Sequence, residues 1–362
     1  MRHALREQAA VTLWPVTERR ITTALAALVP LLVLVLLGMV VTVPYVAVGP
    51  GDTADTLTTY AERGADGTFS DRKVITIDGL PVHQPAGQLR FTTIAVTDGL
   101  NLYGALAKWI SGEQIAPRDA YYPPGATREQ IEAGNREQFT GSESSATVAA
   151  LRYLKIPTAA GVVGLSEGGP SQGKLREGDV LESVDGAPVT TPDQVAKGIE
   201  GKKKGDVVTV AVRRADGAAQ VPVTLGESEG KPRLGIVVGQ VPADPKIHIG
   251  FGVQQVGGPS AGLMLSLGII DLVEPGDLTG GKNVAGTGEI ASDGKVGPIG
   301  GIEHKLRGAK RDGASVFLVP AANCDAAKSS PPADLQLVRV ETLDGALRAL
   351  ADVREGRPAP SC

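Results

Sequence analysis

The sequence predicts an α+β protein with an N-terminal membrane helix, a β-rich module and a C-terminal α/β module. Three observations carry this prediction. Residues 24–43 form an almost unbroken apolar run. Residues 157–225 alternate short β-type segments with Gly-containing turns. Residues 231–350 contain both apolar strand-like segments and helical segments.

Composition limits the classes of function. With 362 residues, of which 42% are hydrophobic and 21% charged, the chain is ordinary globular material with room for two or three domains. A net charge of −4 and 4% aromatic residues give no sign of nucleic-acid binding and no stacking platform for bases. The two cysteines fit no metal-ligand spacing. We therefore expect neither a metal nor a nucleic-acid partner.

The N-terminus reads as a single-pass membrane anchor. Residues 1–22 are polar and contain Arg2, Arg6, Arg19 and Arg20. About 20 apolar residues suffice to cross the hydrocarbon core, which places the span at 23–43. No Lys or Arg follows the run until Arg63, so the N-terminus is expected in the cytoplasm and everything from Tyr45 onward outside the cell membrane. A cleavable signal peptide is the alternative, but the run is long for one and no Ala-x-Ala site follows.

Residues 44–153 form a membrane-proximal region. Residues 73–77 and 88–96 alternate apolar and polar side chains in the manner of strands. Residues 100–110 and 128–154 are predicted helices. We expect the strands to complete the fold of the C-terminal module, with the β-rich module inserted between them.

The β-rich module at 157–227 carries two recognisable segments, Leu175-Arg176-Glu177-Gly178-Asp179-Val180-Leu181 and Val184-Asp185-Gly186. In these segments it resembles the PDZ domains of bacterial envelope proteases. The resemblance implies that an extended peptide is bound as an added strand. The expected peptide-binding edge is the strand 161–165, with Gly161, Val162 and Val163. A β-rich spacer without a ligand is the alternative.

The C-terminal module at 231–350 holds a candidate nucleophile and a candidate base. The nucleophile lies in Gly258-Pro259-Ser260-Ala261-Gly262, directly before the apolar segment 263–272. A serine between small residues at the head of a helix exposes its hydroxyl, and the first-turn N–H groups can hold an oxyanion. Lys305 follows a Pro-Ile-Gly-Gly segment on a helix side with small and apolar residues. Desolvation there would lower its pKa, so the amine could act as a general base.

Three motifs in this module resemble the proteolytic domain of the Lon family of serine proteases. They are the segment 258–262, Thr287-Gly288-Glu289, and 298–305, which ends in Lys305. The resemblance implies Ser260 as nucleophile, Lys305 as general base and Thr287 as a hydroxyl that orients the lysine, with Gly258, Pro259 and Ala261 supporting the serine. With the anchor and the PDZ-like module, the chain resembles membrane-anchored bacterial Lon-like proteases of the actinobacterial type. This implies protein or peptide substrates and assembly into homo-oligomers. One departure is Gly257, where the family often has an acidic residue.

Lon-family proteases usually carry an ATPase, but this sequence predicts ATP-independent cleavage and no cofactor. The phosphate-loop pattern requires Ser or Thr after Gly-x4-Gly-Lys. The segment 168–174 is followed by Leu175, and the segment 276–282 is followed by Asn283.

Other interpretations stay open at the level of sequence. The protease-like module could be inactive, which would leave a membrane-tethered PDZ scaffold that binds peptides. Ser260 also fits the Gly-x-Ser-x-Gly elbow of an esterase, with His304 as its base. Cys324 and Cys362 could form a disulfide that ties the tail, 351–362, to the module, or remain two thiols.

Overall fold

The computed structural model describes residues 16–63, 69–228, 230–253 and 256–362. Within these residues the helices are α1 (Val16–Val40), α2 (Leu102–Ile110), α3 (Arg128–Tyr153), α4 (Pro192–Gly198), α5 (Gly262–Val273), α6 (Ile302–Arg311), α7 (Cys324–Ser329) and α8 (Leu343–Arg354). The strands are β1 (Tyr45–Asp55), β2 (Thr59–Arg63), β3 (Phe69–Lys73), β4 (Ile75–Asp78), β5 (Gln88–Thr97), β6 (Gln114–Pro117), β7 (Thr158–Leu165), β8 (Val180–Val184), β9 (Ala187–Pro188), β10 (Val207–Arg214), β11 (Gly217–Thr224), β12 (Gly226–Ser228), β13 (Lys231–Arg233), β14 (Ile236–Pro242), β15 (His248–Phe251), β16 (Asn283–Gly286), β17 (Glu289–Ile290), β18 (Val296–Gly297), β19 (Val316–Pro320) and β20 (Gln336–Val340).

The chain divides into two compact units, and the first consists of residues 1–49 and 96–124. In this unit the first half of β1 pairs antiparallel with β6, from Tyr45 opposite Pro117 to Val48 opposite Gln114. Helix α2 begins at Leu102, two residues later than predicted, because the side chain of Asn101 caps it by accepting a hydrogen bond from the amide of Gly104.

Helix α1 is long and apolar enough to cross a membrane between Arg20 and Val40, a property that membrane anchors and signal sequences share. Its leucine, isoleucine and valine side chains are mostly exposed, as they would be in a helix that packs against lipid. The helix ends at Val40, three residues before the predicted end of the span, since residues 41–44 turn into β1.

The second unit consists of residues 50–95 and 125–362 and contains two main sheets. In the first sheet β20, β19, β16, β5 and β1 lie side by side. Here β16 pairs parallel with β5 and with β19, and β19 pairs parallel with β20. Helix α5 is buried on all sides, from Gly262 to Leu272, which fits its almost unbroken apolar sequence. The early strand β5 thus shares a sheet with strands that follow it by almost 200 positions in the chain.

The second sheet of this unit has the order β11, β10, β8, β7 and β14, with β9 paired to β8. Side chains of these strands form a buried apolar cluster that includes Val162, Leu181, Val210 and Val223. The sheet continues to Pro242 rather than ending at the predicted boundary of 227. After Leu225, strands β12 and β13 pair as a hairpin, and the chain then returns to the sheet as β14.

The predicted peptide-binding edge at Gly161, Val162 and Val163 is wrong. On one side of β7, strand β14 pairs with it antiparallel from Thr158 to Leu165, and on the other side β7 contacts β8. The chain therefore already fills the hydrogen-bonding positions that an added peptide would need. The terminal strand on this side of the sheet is β14.

The C-terminal tail, residues 351–362, is held against the rest of the second unit. Cys324 and Cys362 are joined by a disulfide. Ahead of it, the amide of Arg339 in β20 donates a hydrogen bond to the carbonyl of Pro360, and Val338 forms a β-bridge with Ser361. The segment predicted as a tail thus extends the edge of the first sheet.

The packing around α5 predicts the effect of one added methyl group. A Cβ atom at Gly268 would lie 2.6 Å from Oγ1 of Thr56 and 2.8 Å from Cδ1 of Ile75. We expect Gly268→Ala to lower the free energy of unfolding by about 1–3 kcal/mol because it overpacks a closed core. Guanidinium unfolding of the detergent-solubilised chain, followed by circular dichroism, measures the change.

The matched control is the same substitution at Gly141 in α3, where a Cβ atom meets nothing within 4 Å. Gly141→Ala should raise the free energy of unfolding by about 0.5–1 kcal/mol, because alanine loses less entropy than glycine in a helix. Equal stability of Gly268→Ala and the unchanged chain would contradict the close packing of α5.

Candidate active site

Ser260 lies in a tight loop immediately before α5, and α3 holds this loop from one side. The amide of Gly258 donates to the carbonyl of Asn135 (3.1 Å), and the hydroxyl of Ser142 donates to the carbonyl of Pro259 (2.9 Å). Ala261 is buried and occupies the cap position of α5. These bonds fix the backbone on the N-terminal side of Ser260.

The packing of α3 explains why position 257, three residues before the serine, is a glycine rather than the acidic residue that the family often has. A Cβ atom at position 257 would lie 2.7 Å from the Cβ atom of Asn135. An aspartate or glutamate there would require α3 to move. The loop is instead positioned by the hydrogen bonds from Gly258 and Ser142.

The middle motif holds the loop from the other side. The amide of Gly288 donates to the carbonyl of Ser260 (2.9 Å), and the hydroxyl of Thr287 donates to the same oxygen (3.0 Å). In return, the amide of Leu263 in the first turn of α5 donates to the carbonyl of Gly288 (3.0 Å). The position of Ser260 is therefore fixed by two separate segments of chain.

Lys305 reaches Ser260 from helix α6. The face of α6 with Ile302, Leu306 and Ala309 is buried, so Lys305 is only 3% exposed. Its Nζ atom lies 2.7 Å from Oγ of Ser260 and 3.1 Å from Oγ1 of Thr287. The same nitrogen donates to the carbonyl oxygen of Thr92 (3.0 Å). The structure thus brings together the three residues Ser260, Thr287 and Lys305 from three separate motifs.

Burial controls the charge of this amine. It lowers the pKa of Lys305 from 10.5 to about 7, because the low-dielectric interior disfavours the ammonium form. Among the described residues, the polar atoms within hydrogen-bonding distance of Nζ are two hydroxyls and one carbonyl. Near neutral pH a large fraction of the amine is therefore uncharged and able to accept a proton from the serine hydroxyl.

His304, the base of the esterase interpretation, has a different environment. Its ring is buried, and its Nδ1 atom lies 2.6 Å from Nη2 of Arg307. The hydrogen bond of the Ser260 hydroxyl is to Lys305. The geometry therefore favours the lysine over the histidine as the base.

Sequence reasoning missed Thr92, Ser142 and Asn135. Thr92 and Asn135 act through backbone carbonyls, which leave no signal in a side-chain pattern. Ser142 lies in a run of small polar residues on α3 from which nothing distinguishes it. Within the described part of the chain, no cluster of three or more His, Cys, Asp or Glu side chains is placed to hold a metal ion.

A second concave surface lies between α4 and the strand β14. This groove has a volume of ≈ 920 Å³, and its lining includes Pro192, Val195, Ala196, Gly235, Ile236 and Val238. Because β14 ends the sheet order, the backbone of its outer edge faces the groove side of the module. The lining also contains charged residues, namely Asp193, Glu227 and Arg233. The module thus offers an open strand edge beside a groove of mixed polarity, on the opposite side of β14 from Gly161–Val163.

Comparisons with known proteins match the C-terminal part of the chain. Residues 240–351 match the family model described as the Lon protease (S16) C-terminal proteolytic domain. Lon protease 2 of Bacillus subtilis (strain 168) is 42% identical over 89 residues, which cover 24% of this chain and 15% of that protein. Lon protease of Roseiflexus castenholzii is 37% identical over 107 residues, which cover 29% of this chain and 13% of that protein. The chain thus has a Lon-type proteolytic domain and spans a small part of the length of these relatives.

Solved structures similar to the chain include the PDZ domains of SdrC-like proteins from two Listeria species. The domain from Listeria monocytogenes is 24% identical, with a TM-score of 0.21, and the match covers 22% of this chain and 86% of that chain. The domain from Listeria innocua is also 24% identical, with a TM-score of 0.21, over 22% and 92% of the two chains.

The burial of the Lys305 amine predicts how the free energy of unfolding changes with pH, and this prediction can be tested without measuring activity. The pKa of Lys305 is lower in the folded than in the unfolded chain, so the unfolded chain binds the extra proton between about pH 7 and 10.5. The contribution of Lys305 to stability should therefore rise with pH across this window. Lys305→Met removes the charge at similar volume, so it should stabilise the protein at pH 7 by at most about 5 kcal/mol, at about 1.4 kcal/mol per unit of pKa.

Guanidinium unfolding of the unchanged chain and of Lys305→Met at a series of pH values from neutral to alkaline measures this effect. The difference in unfolding free energy between the two proteins should shrink as pH rises. A difference that is constant across the series would mean that the lysine is charged in the folded protein.

Proposed function

We propose that this chain is a membrane-anchored, ATP-independent serine endopeptidase that uses Ser260 as nucleophile and Lys305 as general base. The observation that carries the proposal is the distance of 2.7 Å between Nζ of Lys305 and Oγ of Ser260, at a lysine whose pKa burial lowers to about 7. The Lon-type proteolytic domain at 240–351 supports the same chemistry. Ser-Lys pairs are a known variant of nucleophilic catalysis.

The reaction begins with the neutral amine of Lys305 taking the proton of the Ser260 hydroxyl. The serine oxygen attacks the carbonyl carbon of the peptide bond, and N–H groups at the start of α5 stabilise the oxyanion. The lysine then gives its proton to the amine that leaves. Water, activated by the same lysine, hydrolyses the ester of Ser260 and restores the enzyme.

Thr287 would hold the serine hydroxyl and the lysine amine in position relative to each other. Its hydroxyl donates to the carbonyl of Ser260 and lies within 3.1 Å of Nζ of Lys305. The carbonyl of Thr92 gives the amine a second fixed partner. With both contacts in place, the lone pair of the neutral amine remains directed at the serine.

The proposed location is the cell membrane, with the N-terminus in the cytoplasm and the proteolytic domain outside. Helix α1 and the arginines Arg19 and Arg20 before its apolar part support an anchor in this orientation. Exported or membrane-associated proteins are then the substrates that can reach Ser260. Cleavage without ATP is part of the proposal, because both Gly-x4-Gly-Lys segments lack the hydroxyl that would bind magnesium.

We also propose that substrate peptides engage the groove between α4 and β14. An extended peptide would pair with the outer edge of β14 and place alternate side chains against Val195 and Ala196. The free edge of β14 and the apolar side chains of Val195, Ala196 and Ile236 in the groove support this position. It replaces Gly161–Val163, whose hydrogen-bonding edge is filled by β14.

The catalytic proposal predicts the activity of three variants. Ser260→Ala and Lys305→Arg should each lower the cleavage of unfolded casein by about 10³-fold or more, the arginine because guanidinium does not release its proton. The control is Lys310→Arg on the same helix, which should leave activity unchanged because Nζ of Lys310 donates to the carbonyl of Asp334, a contact that arginine can keep. Circular dichroism verifies that each purified variant is folded.

Full activity of folded Ser260→Ala would exclude the serine as nucleophile. An inactive His304→Ala with an active Lys305→Met would instead favour the esterase mechanism. If a fluorophosphonate probe fails to label Ser260 in the unchanged chain, the protease domain is inactive and the chain is a peptide-binding scaffold.

The groove predicts a change in substrate affinity. Ala196→Glu should raise the KM for a protein substrate by about tenfold, because it places a larger, charged side chain beside Val195, where an apolar peptide side chain would pack. The kcat for a short peptide that does not reach the groove should not change. Lys197→Glu is the control, since it introduces the same side chain at the next exposed position of α4, outside the lining, with an even larger change of net charge. Equal KM values for both variants and the unchanged chain would exclude the groove.

A further inference from the structure

Helix α2 in the first unit presents an apolar face to solvent. Five large side chains on this nine-residue helix are exposed, with Trp109 at 64% and Ile110 at 73%. The five exposed side chains are Leu102, Tyr103, Leu106, Trp109 and Ile110. Such a contiguous exposed patch on a single short helix marks an interaction surface.

The five side chains share one face of the helix. At 3.6 residues per turn they fall within an arc of about 120°. The other side of the helix differs from this face. Ala105 there is buried, and Lys108 forms an ion pair with Glu113 (2.9 Å). Helix α2 is therefore amphipathic, and in the part of the chain that the structure describes Leu102, Leu106, Trp109 and Ile110 on its apolar side remain exposed.

The position of α2 next to the candidate membrane span identifies the partner. The amide of Val43 donates to the carbonyl of Leu100 (2.8 Å), and the side-chain amide of Asn101 donates to the carbonyl of Met39 (2.7 Å). These bonds fix the first residues of α2 to the last turn of α1. A span that ends at Val40 places this turn at the boundary between hydrocarbon and headgroups.

A contact between the two helices strengthens this placement. A Cβ atom at Gly38 of α1 would lie 2.8 Å from the ring of Tyr103, so the tyrosine packs directly on the end of the span. Tyrosine and tryptophan are enriched at this depth because their rings combine an apolar body with a polar group.

We propose that α2 lies in the membrane interface of the outer leaflet, with Leu102, Leu106, Trp109 and Ile110 inserted among the lipids. The proposal rests on the proposed membrane anchor. The leucines and isoleucine supply apolar area, and Lys108 on the opposite side stays with Glu113 in the aqueous phase. The first unit would then be attached to the bilayer by a span and by a surface helix, which fixes its orientation to the membrane.

Tryptophan fluorescence tests this placement directly. The chain has two tryptophans, Trp14 and Trp109, so Trp14→Phe leaves Trp109 as the sole reporter. The full-length variant is placed in nanodiscs of phosphatidylcholine with or without bromine on the acyl chains. We expect blue-shifted emission, loss of intensity in brominated lipid, and protection from iodide in the buffer. Red-shifted emission that iodide quenches and brominated lipid does not would overturn the proposal.

A reference variant separates this result from failure of the anchor. In the Trp14→Phe, Trp109→Phe background, Leu32→Trp places the only tryptophan in the middle of α1. If brominated lipid quenches Trp109 and this reference, both proposals stand. If it quenches the reference alone, the surface helix is excluded while the anchor stands. If it quenches neither, the anchor itself fails and the inference fails with it.

A charged substitution provides the second measurement. In the Trp14→Phe protein, Leu106→Glu should shift the Trp109 emission to the red and restore its intensity in brominated lipid. Val207→Glu, at an apolar residue of the second unit that is 60% exposed, should change neither. Intensity that depends on the protein-to-lipid ratio but not on bromine would mean that a second copy of the chain covers α2, which also overturns the proposal.

Discussion

The proposed chemistry depends on one constraint, which is that the amine of Lys305 must stay uncharged while it touches the hydroxyl of Ser260. Water would return the pKa of Lys305 to its ordinary value, so the side chain has to be buried. A buried amine needs polar partners, since an unpaired donor is costly. The hydroxyls of Ser260 and Thr287 and the carbonyl of Thr92 meet this need without adding a negative charge that would restore the ammonium.

This constraint explains why distant parts of the chain meet at one point. Helix α3 precedes the β-rich module and holds the backbone at Gly258 and Pro259, which follow that module. Strand β5 supplies the Thr92 carbonyl from the early part of the chain because it pairs with β16, next to the middle motif. The β-rich module is thus inserted between two halves of a single fold. The completed site needs both halves, so the matched segment 240–351 alone lacks Thr92 and Ser142.

The sequence indicated candidate site residues that stand in distinctive short segments. It gave no sign of residues that reach the site only through backbone contacts between distant parts of the chain. Ser260 and Lys305 stand in short segments whose small, apolar and turn residues indicate their settings. Thr92 was not predictable, because its carbonyl is joined to Lys305 across 213 positions and any residue type has a carbonyl. The edge of the β-rich sheet was predicted wrongly at Gly161–Val163. The end of the β-rich module was predicted at 227, although the hairpin of β12 and β13 returns the chain to the sheet as β14.

The rate at which a fluorophosphonate modifies Ser260, measured as a function of pH on the detergent-solubilised full chain, tests the account most directly. Only the uncharged amine of Lys305 can take the serine proton, so the rate should fall about tenfold per pH unit below pH 7 and level off above it. Lys305→Met should remove this dependence together with most of the rate. A rate in the unchanged chain that keeps rising to pH 10, or that does not vary with pH, would contradict a neutral lysine base.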